Sequence, residues 1–271
     1  MRATAEAIAL NSPRGDAAGL QRAHHAQDRW PSALLDTRAF LGDMVAETLF
    51  PTRCAVCDAP GEPLCAACAA ALPYIDALTA CPRCGAPFGR VQCTECCHVL
   101  LAPFGYDEVP YTEAVSAVVL SEAARRIVTV YKDQGERRLA RVLAAIMARY
   151  VPPRWLSARP AVTYVPATLT ARRRRGFDHA EHLAREVSFL LGCEFAPLLC
   201  APTRKDQRRL GRTGRIGNMR ASMRVLAGAS VPDALILVDD VCTTGATLFA
   251  ATEALKAAGA TTVFGLTFAR T

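Results

Sequence analysis

Nowhere does the chain run for the ~18 apolar residues that a membrane-spanning helix needs, so membrane insertion is not expected. Its first residues, MRATAEAIALNSPRGDAAG, also lack the apolar core of a secretory signal, and a soluble, cytoplasmic protein is the expectation. Aromatic residues are only 7% of the total, too few to suggest a platform on which bases stack. Lysine is scarce as well: Lys132, Lys205 and Lys256 are three of 32 cations, so the formal charge of +7 is almost wholly arginine. The planar arginine fork suits phosphates, although a genome biased towards arginine codons gives the same excess. What is present is globular in character, 51% hydrophobic and 21% charged, which excludes wholesale disorder. At 271 residues the chain can bury one sizeable core and carry a smaller module beside it.

Cysteine is the exception to this sparseness. Cys54, Cys57, Cys65, Cys68, Cys81, Cys84, Cys93 and Cys96 form four consecutive C-x-x-C pairs. Such a turn lets two thiolates converge on one cation, and four sulfurs complete a tetrahedral zinc site. Eight ligands make two sites. A disulfide framework fits poorly with the missing secretion signal, and a redox pair would be one motif beside a βαβ unit rather than four in tandem. Sequential pairing of the motifs closes the smallest loops and is preferred, with Cys97 and His98 standing next to Cys96 as substitute ligands. Both sites are closed, so their role is structural. Pro, Gly and Ala fill the spaces between the pairs, and the metal should therefore supply the folding free energy of residues 54–97.

Three domains are expected: a disordered tail over 1–33, a helix plus double zinc ribbon over 34–100, and an α/β domain over 101–271. The first helix spans Leu34 to Leu49. Beyond the ribbon, Phe104–Tyr111 reads as a short hairpin, and Thr112 caps a helix running through Tyr131 on the apolar stripe Val115, Val118, Val119, Ala123, Ile127 and Val130. A second helix covers Glu136–Tyr150. Ala161–Val165 reads as a buried strand, and Asp178 with Glu181 opens a helix that ends at Gly192.

Residues 234–238 (ALILV) form an unbroken apolar run, as in a parallel strand buried on both faces. The run ends in Asp239-Asp240. Thr243, Thr244, Gly245, Ala246 and Thr247 then make a turn into a helix with Leu248, Ala251 and Leu255 on one side. Glycine permits the turn and a close approach, while the hydroxyls and the first N–H groups of the helix suit phosphate oxygens. Two carboxylates beside an anion site would repel bare phosphate but suit ribose hydroxyls and Mg²⁺. A sugar phosphate follows.

LILVDDVCTTGATL resembles the phosphoribosyl-pyrophosphate (PRPP) motif of type I phosphoribosyltransferases. That resemblance implies their fold, a parallel sheet flanked by helices, with Asp239 and Asp240 on the ribose hydroxyls and Thr243, Thr244, Gly245, Ala246 and Thr247 on the 5′-phosphate. Over roughly residues 40–270 the order of motifs is similar to that of the ComF family of competence-associated proteins: tandem C-x-x-C pairs, YKDQGERRLA, VP followed by RRRRGFDHAEHLA, the Gln207/Leu210/Arg215/Asn218 spacing, and the PRPP loop. The chain departs from that family at Asp178-His179, where it usually has Asn-Gln, at Cys242, where it usually has Leu, and in Val165-Pro166-Ala167-Thr168. The resemblance implies pyrophosphate binding by Pro166, Ala167 and Thr168 with Arg173 and Arg175, a moving basic loop carrying Arg204, Lys205 and Arg215, a further phosphate contact at Lys132, and Mg²⁺ as cofactor beside zinc. It also implies a link to uptake of transforming DNA and to competence-machinery proteins. Thr243 stands where some purine-salvage enzymes have an Asp base, so 6-oxopurine chemistry is disfavoured. A rival reading is a non-enzymatic single-stranded-DNA-binding factor with a relic or sensory pocket, because residues 201–224 hold eight cations and one acid. Cys242, before a helix N-terminus, is a candidate reactive thiol; Cys193 and Cys200 read as core.

Overall fold

The computed structural model describes residues 51–200 and 223–271. The expected tail over 1–33, the helix at Leu34–Leu49 and the basic residues Arg204, Lys205 and Arg215 lie outside them. The chain divides into two compact units between Ala71 and Leu72, a division that runs through the double ribbon rather than after it.

In the first unit Cys54 and Cys57 form a knuckle, Arg53 bridges to Pro60, and α1 (Ala66–Ala70) carries Cys68. In the second, residues 72–97 lead into α2 (His98–Leu101) and a 3-10 turn at Ala102–Phe104. Then follow β1 (Glu113–Val119), α3 (Glu122–Asp133), α4 (Leu139–Ala148), α5 (Pro153–Ser157), β2 (Ala161–Tyr164), α6 (Leu169–Arg175), α7 (His179–Leu191), β3 (Ala234–Cys242), α8 (Ala246–Ala257) and β4 (Thr262–Arg270). The strands form one parallel sheet in the order β1-β4-β3-β2. The outer edge of β1 is covered by an antiparallel bridge from Tyr74 to Val118, with Ile75 N–H donating to the Ala117 carbonyl at 2.9 Å.

Successive strand side chains face opposite ways. Leu235 and Leu237 join Leu248, Ala251 and Leu255 of α8, and also Tyr111 and Cys84, in one apolar cluster. On the other face α4 and α7 pack together and onto the sheet, and the fully buried Trp155 of α5 stacks on Phe264 at 4.5 Å. Its indole N–H donates to Glu113 at 2.8 Å, so the largest buried side chain leaves no unpaired polar atom.

Two expectations are corrected. Glu113–Val119 is strand β1, not the first half of a helix: Val115, Val118 and Val119 fit a helical stripe, but β-branched residues stiff at χ1 fit a strand equally well. Thr112 caps nothing; its hydroxyl accepts from Val263 N–H at 3.2 Å, and Ser121 caps α3 by accepting from Ala124 N–H. Nor is Phe104–Tyr111 a hairpin. Gly105 turns the chain at φ +76°, and Tyr106 and Tyr111 pack their rings against Phe249 at 5.2 and 5.7 Å. Side-chain packing holds this segment where strand pairing was expected.

The chain leaves β2 through α6 and α7 and returns at Phe195, which bridges in parallel to Val162, outside β2. It leaves β3 through α8 and returns at β4, on the opposite side. Connections of one hand then place α7 and α8 on opposite faces. The point where they part lies beyond the carboxyl ends of β2 and β3, where open α/β sheets form their ligand crevice.

Candidate metal centres and anion site

The sulfurs of Cys54, Cys57, Cys65 and Cys68 lie within 4.8 Å of one another, as do those of Cys81, Cys84, Cys93 and Cys96. This is sequential pairing. Cys57–Cys65, Cys81–Cys96 and Cys84–Cys93 are 3.7, 3.7 and 3.6 Å apart. A tetrahedron with Zn–S bonds of about 2.3 Å has an edge of about 3.8 Å, so the clusters are sized for zinc. Cys97 and His98 take no part: Cys97 bonds the Thr94 carbonyl at 3.0 Å and His98 stands 3.4 Å from Asp107.

Within the first cluster burial raises the Cys54 thiol, but N–H donors from Cys57, Cys65 and Val56 together bring it down to about 6. Cys68 is pushed up to about 12 by burial and its neighbouring thiols. In the second, burial and neighbouring thiols push Cys96 up to about 12, and burial drives Cys84 higher still. Four thiolates cannot persist together without a cation, so filling either centre with metal must release protons.

The knuckles share a backbone turn but differ in what surrounds it. Asp58 follows Cys57 at φ +64° and Gly85 follows Cys84 at φ +71°. Asp58 is exposed and pairs with Arg53 at 3.1 Å. A side chain at Gly85 would meet the Ala114 carbonyl at 2.7 Å and the Val115 backbone at 2.9 Å. Arg83 O accepts from Ala114 N–H at 2.9 Å, so the second knuckle is bonded directly to β1.

At the carboxyl end of β3 Asp239 is half-buried and Asp240 buried. Asp240 pairs with Lys132 of α3, while His179 Nε2, from the first residue of α7, lies 3.6 Å away. Burial, Lys132 and Arg175 hold His179 near 3, hence neutral. Its Nδ1 faces Arg175 at 3.2 Å, and its carbonyl accepts from the Tyr131 hydroxyl at 2.6 Å. Asp133 binds Arg174 and Arg175, each at 3.1 Å. Asp239 is pushed up to about 7 by burial, with Lys132 pulling down and Asp178 pushing up.

The turn after β2 runs beside this cluster, since Val165 N–H donates to the Val238 carbonyl at 3.0 Å. Pro166 is buried, and Ala167 and Thr168 are half-buried. Asp178 accepts from Ala167 N–H at 2.9 Å with one oxygen and from Ala180 and Glu181 N–H with the other. One carboxylate thus fixes both the turn and the start of α7. Thr168 caps α6 by accepting from Ala171 N–H. Arg175 joins the buried network, whereas Arg173 is exposed on α6.

After β3, Thr243 and Thr244 are exposed, and Gly245 at φ +75° starts α8. A side chain there would meet the Phe249 ring at 3.1 Å. Ala246 and Thr247 form the first turn of this 12-residue helix, whose N–H groups and dipole favour an anion. Thr271 holds the turn, its hydroxyl donating to the Thr243 carbonyl at 3.1 Å. Cys242 is buried four residues before the first residue of α8, and burial raises its thiol; the reactive-thiol expectation fails because solvent does not reach it.

The sequence reading did not single out Asp133 and His179 as site residues or the Asp178 clamp. Asp178 was legible as a cap, but its grip on Ala167 was not.

Residues 45–100 match the family model for a double zinc ribbon domain. No curated protein matches the chain. The matched family and the two sulfur clusters agree: the chain carries two four-cysteine zinc-binding sites, followed by an α/β fold with a four-stranded parallel sheet flanked by helices. Among the described residues no helix is long and apolar enough to cross a membrane.

Proposed function

We propose that the crevice beyond β2 and β3 binds a ribose phosphate, PRPP with Mg²⁺, and that the protein is a ComF-like phosphoribosyltransferase-type protein linked to competence and DNA uptake. The carrying observation is one of placement. An acidic pair lies in the last four residues of β3, where the connections part to opposite faces, and a Thr/Gly turn delivers the N-terminus of α8 within a few residues. Open α/β sheets bind ligands at such points.

In this reading Asp239 and Asp240 receive the ribose hydroxyls, and Thr243, Thr244, Gly245, Ala246 and Thr247 cradle the 5′-phosphate. The Pro166–Thr168 turn faces the pyrophosphate, with Arg173 and Arg175 neutralising charge and Arg204, Lys205 and Arg215 supplying the covering loop. Mg²⁺, when bound, neutralises diphosphate charge and favours an ionised acidic pair, which is the donor set that a hard, oxygen-loving cation requires. Lys132 and neutral His179 hold Asp240 in place beneath. Phosphoribosyl transfer to an acceptor would break the bond from ribose C1′ to pyrophosphate, and the charge left on pyrophosphate is what the arginines would stabilise.

Calorimetric titration of PRPP with Mg²⁺ into the zinc-loaded protein tests this reading, beside Asp239→Asn, a near-isosteric change at a half-buried position. Saturable binding that Asp239→Asn weakens supports it. Binding should also tighten as pH rises through about 7, because ionising Asp239 improves the site for Mg²⁺. No binding by the wild type, together with steeply salt-dependent single-strand binding, would transfer support to the DNA-binding reading that the basic stretch at 201–224 suggests.

A further inference from the structure

Arg270, the last residue of β4, is a guanidinium only 5% exposed. Its Nη1 donates to the carbonyl of Cys84, a ligand of the second centre, at 2.7 Å, and lies 3.6 Å from the sulfur of Cys242. Its Nε has no hydrogen-bond partner. No carboxylate forms an ion pair with it among the described residues, the acid whose charge reaches it, Glu95, acting only from a distance, and a buried charge with so little direct compensation is costly. A zinc ion with four thiolates, by contrast, leaves two negative charges in excess. The cation and the anionic centre are joined through one carbonyl.

The same arginine leads to the anion turn. Cys242 is the residue before Thr243, and Thr271, which follows Arg270, donates its N–H to the Cys242 carbonyl at 3.2 Å and its hydroxyl to the Thr243 carbonyl at 3.1 Å. Leu120 N–H donates to the Arg270 carbonyl, fixing the strand end from the β1 side. A continuous set of bonds therefore runs from Cys84 through Arg270 and Thr271 to Thr243.

We propose that Arg270 is the counter-cation of the Cys81–Cys84–Cys93–Cys96 zinc centre and a positioning residue for the Thr243–Thr247 turn, so that this turn takes its form only when that centre holds its metal. The Cys54–Cys57–Cys65–Cys68 centre has no part in this. The consequence for ribose-phosphate binding rests on the function proposed above; the metal and backbone consequences do not.

The test follows zinc release from the full-length, zinc-loaded protein with a chromophoric chelator, comparing wild type, Cys57→Ser, Arg270→Met and Arg270→Lys. Removing a group that supports metal ligands from outside weakens retention by roughly 10–100-fold. Arg270→Met should show that loss for one of the two zinc equivalents, and Cys57→Ser, which removes a ligand outright, a loss at least as large for the other. Arg270→Lys, which keeps the charge but not the fork, should restore most of the retention while the amide resonances of Thr243–Thr247 stay displaced. In Cys57→Ser protein with native Arg270, chelation of the remaining zinc should shift those resonances and leave Leu183 and Val187 of α7 in place. Wild-type retention of both equivalents by Arg270→Met overturns the proposal. So does a Thr243–Thr247 spectrum unchanged when the second zinc leaves, a readout available even if Arg270→Met does not fold. Failure of Mg-PRPP to bind the wild type would remove the ribose-phosphate reading and leave both these readouts intact.

Discussion

The two zinc knuckles are the same turn in different surroundings. Each places a residue with positive φ after its second cysteine, Asp58 in one and Gly85 in the other. The Asp58 side chain reaches solvent in the first, so an aspartate is tolerated there and even finds an ion pair. Backbone of β1 lies against the second, so no side chain is. The first centre sits in a unit where α1 has no buried residue. The second is part of the sheet's own apolar cluster, with Cys81 and Cys84 beside Leu235, Leu237 and Phe249. The lesson is that a metal motif defines ligands, whereas its neighbours decide whether it stabilises a loop or a domain.

Zinc removal gives the largest expected effect on this comparison. Structural zinc contributes an apparent ~10–16 kcal/mol in small domains, so chelation should abolish amide protection throughout 51–71. Protection in α4 and α7, whose Leu139, Leu143, Leu183 and Val187 are fully buried, should persist. Hydrogen exchange before and after chelation reads both regions at once.

Exchanging the two knuckle residues comes next. Gly85→Asp forces a side chain into the Ala114 carbonyl and should cost about 3 kcal/mol or more. Asp58→Gly relieves a left-handed residue at the expense of an exposed ion pair, and should change stability by no more than about 1 kcal/mol. Thermal unfolding of the zinc-loaded variants measures both; equal losses would erase the distinction between the centres.

A smaller effect is expected where the α/β unit is held by its own polar clamp. Asp178→Ala removes the cap of α7 and frees Ala167 N–H, and should cost about 1–2 kcal/mol. Asp178→Asn should recover part of this, as denaturant titration would show.

In the wild type the smallest effect is in pH dependence, where two opposed groups offset each other. His179 is near 3 in the folded protein, so the unfolded chain binds its proton first and stability falls as pH drops from about 6.5 towards 3. Asp239 works oppositely: raised to about 7, it favours folding at low pH, and that contribution is lost as pH climbs from about 4 through 7. In the shared window the two slopes offset each other. His179→Gln should therefore expose a stability that declines with rising pH, and Asp239→Asn one that increases; equilibrium unfolding at several pH values distinguishes them.

Legibility in the sequence followed the range of the interaction. Ligand spacing, the cap at Asp178, strands β2 and β3, and the turn at Gly245 depend on nearby residues and could be read directly. Strand β1 could not, because Val115, Val118 and Val119 satisfy two periodicities and only pairing with β4 selects one. Strand β4 was not singled out, although it supplies Arg270. The cluster at Asp240 draws Lys132 from α3 and His179 from α7, and the Arg270–Cys84 bond joins opposite ends of the α/β unit. Such meetings exist only once the topology is fixed. For the same reason the compact units divide inside the ribbon, between Ala71 and Leu72.

Diffraction from zinc-loaded crystals soaked with PRPP and Mg²⁺, recorded at the zinc absorption edge, tests the central claim most directly. The account predicts two anomalous peaks, one in each four-cysteine cluster, with phosphate density on Thr243–Thr247 and ribose hydroxyls at Asp239. Density for the ligand elsewhere, or a crevice left empty at saturating ligand, would contradict it.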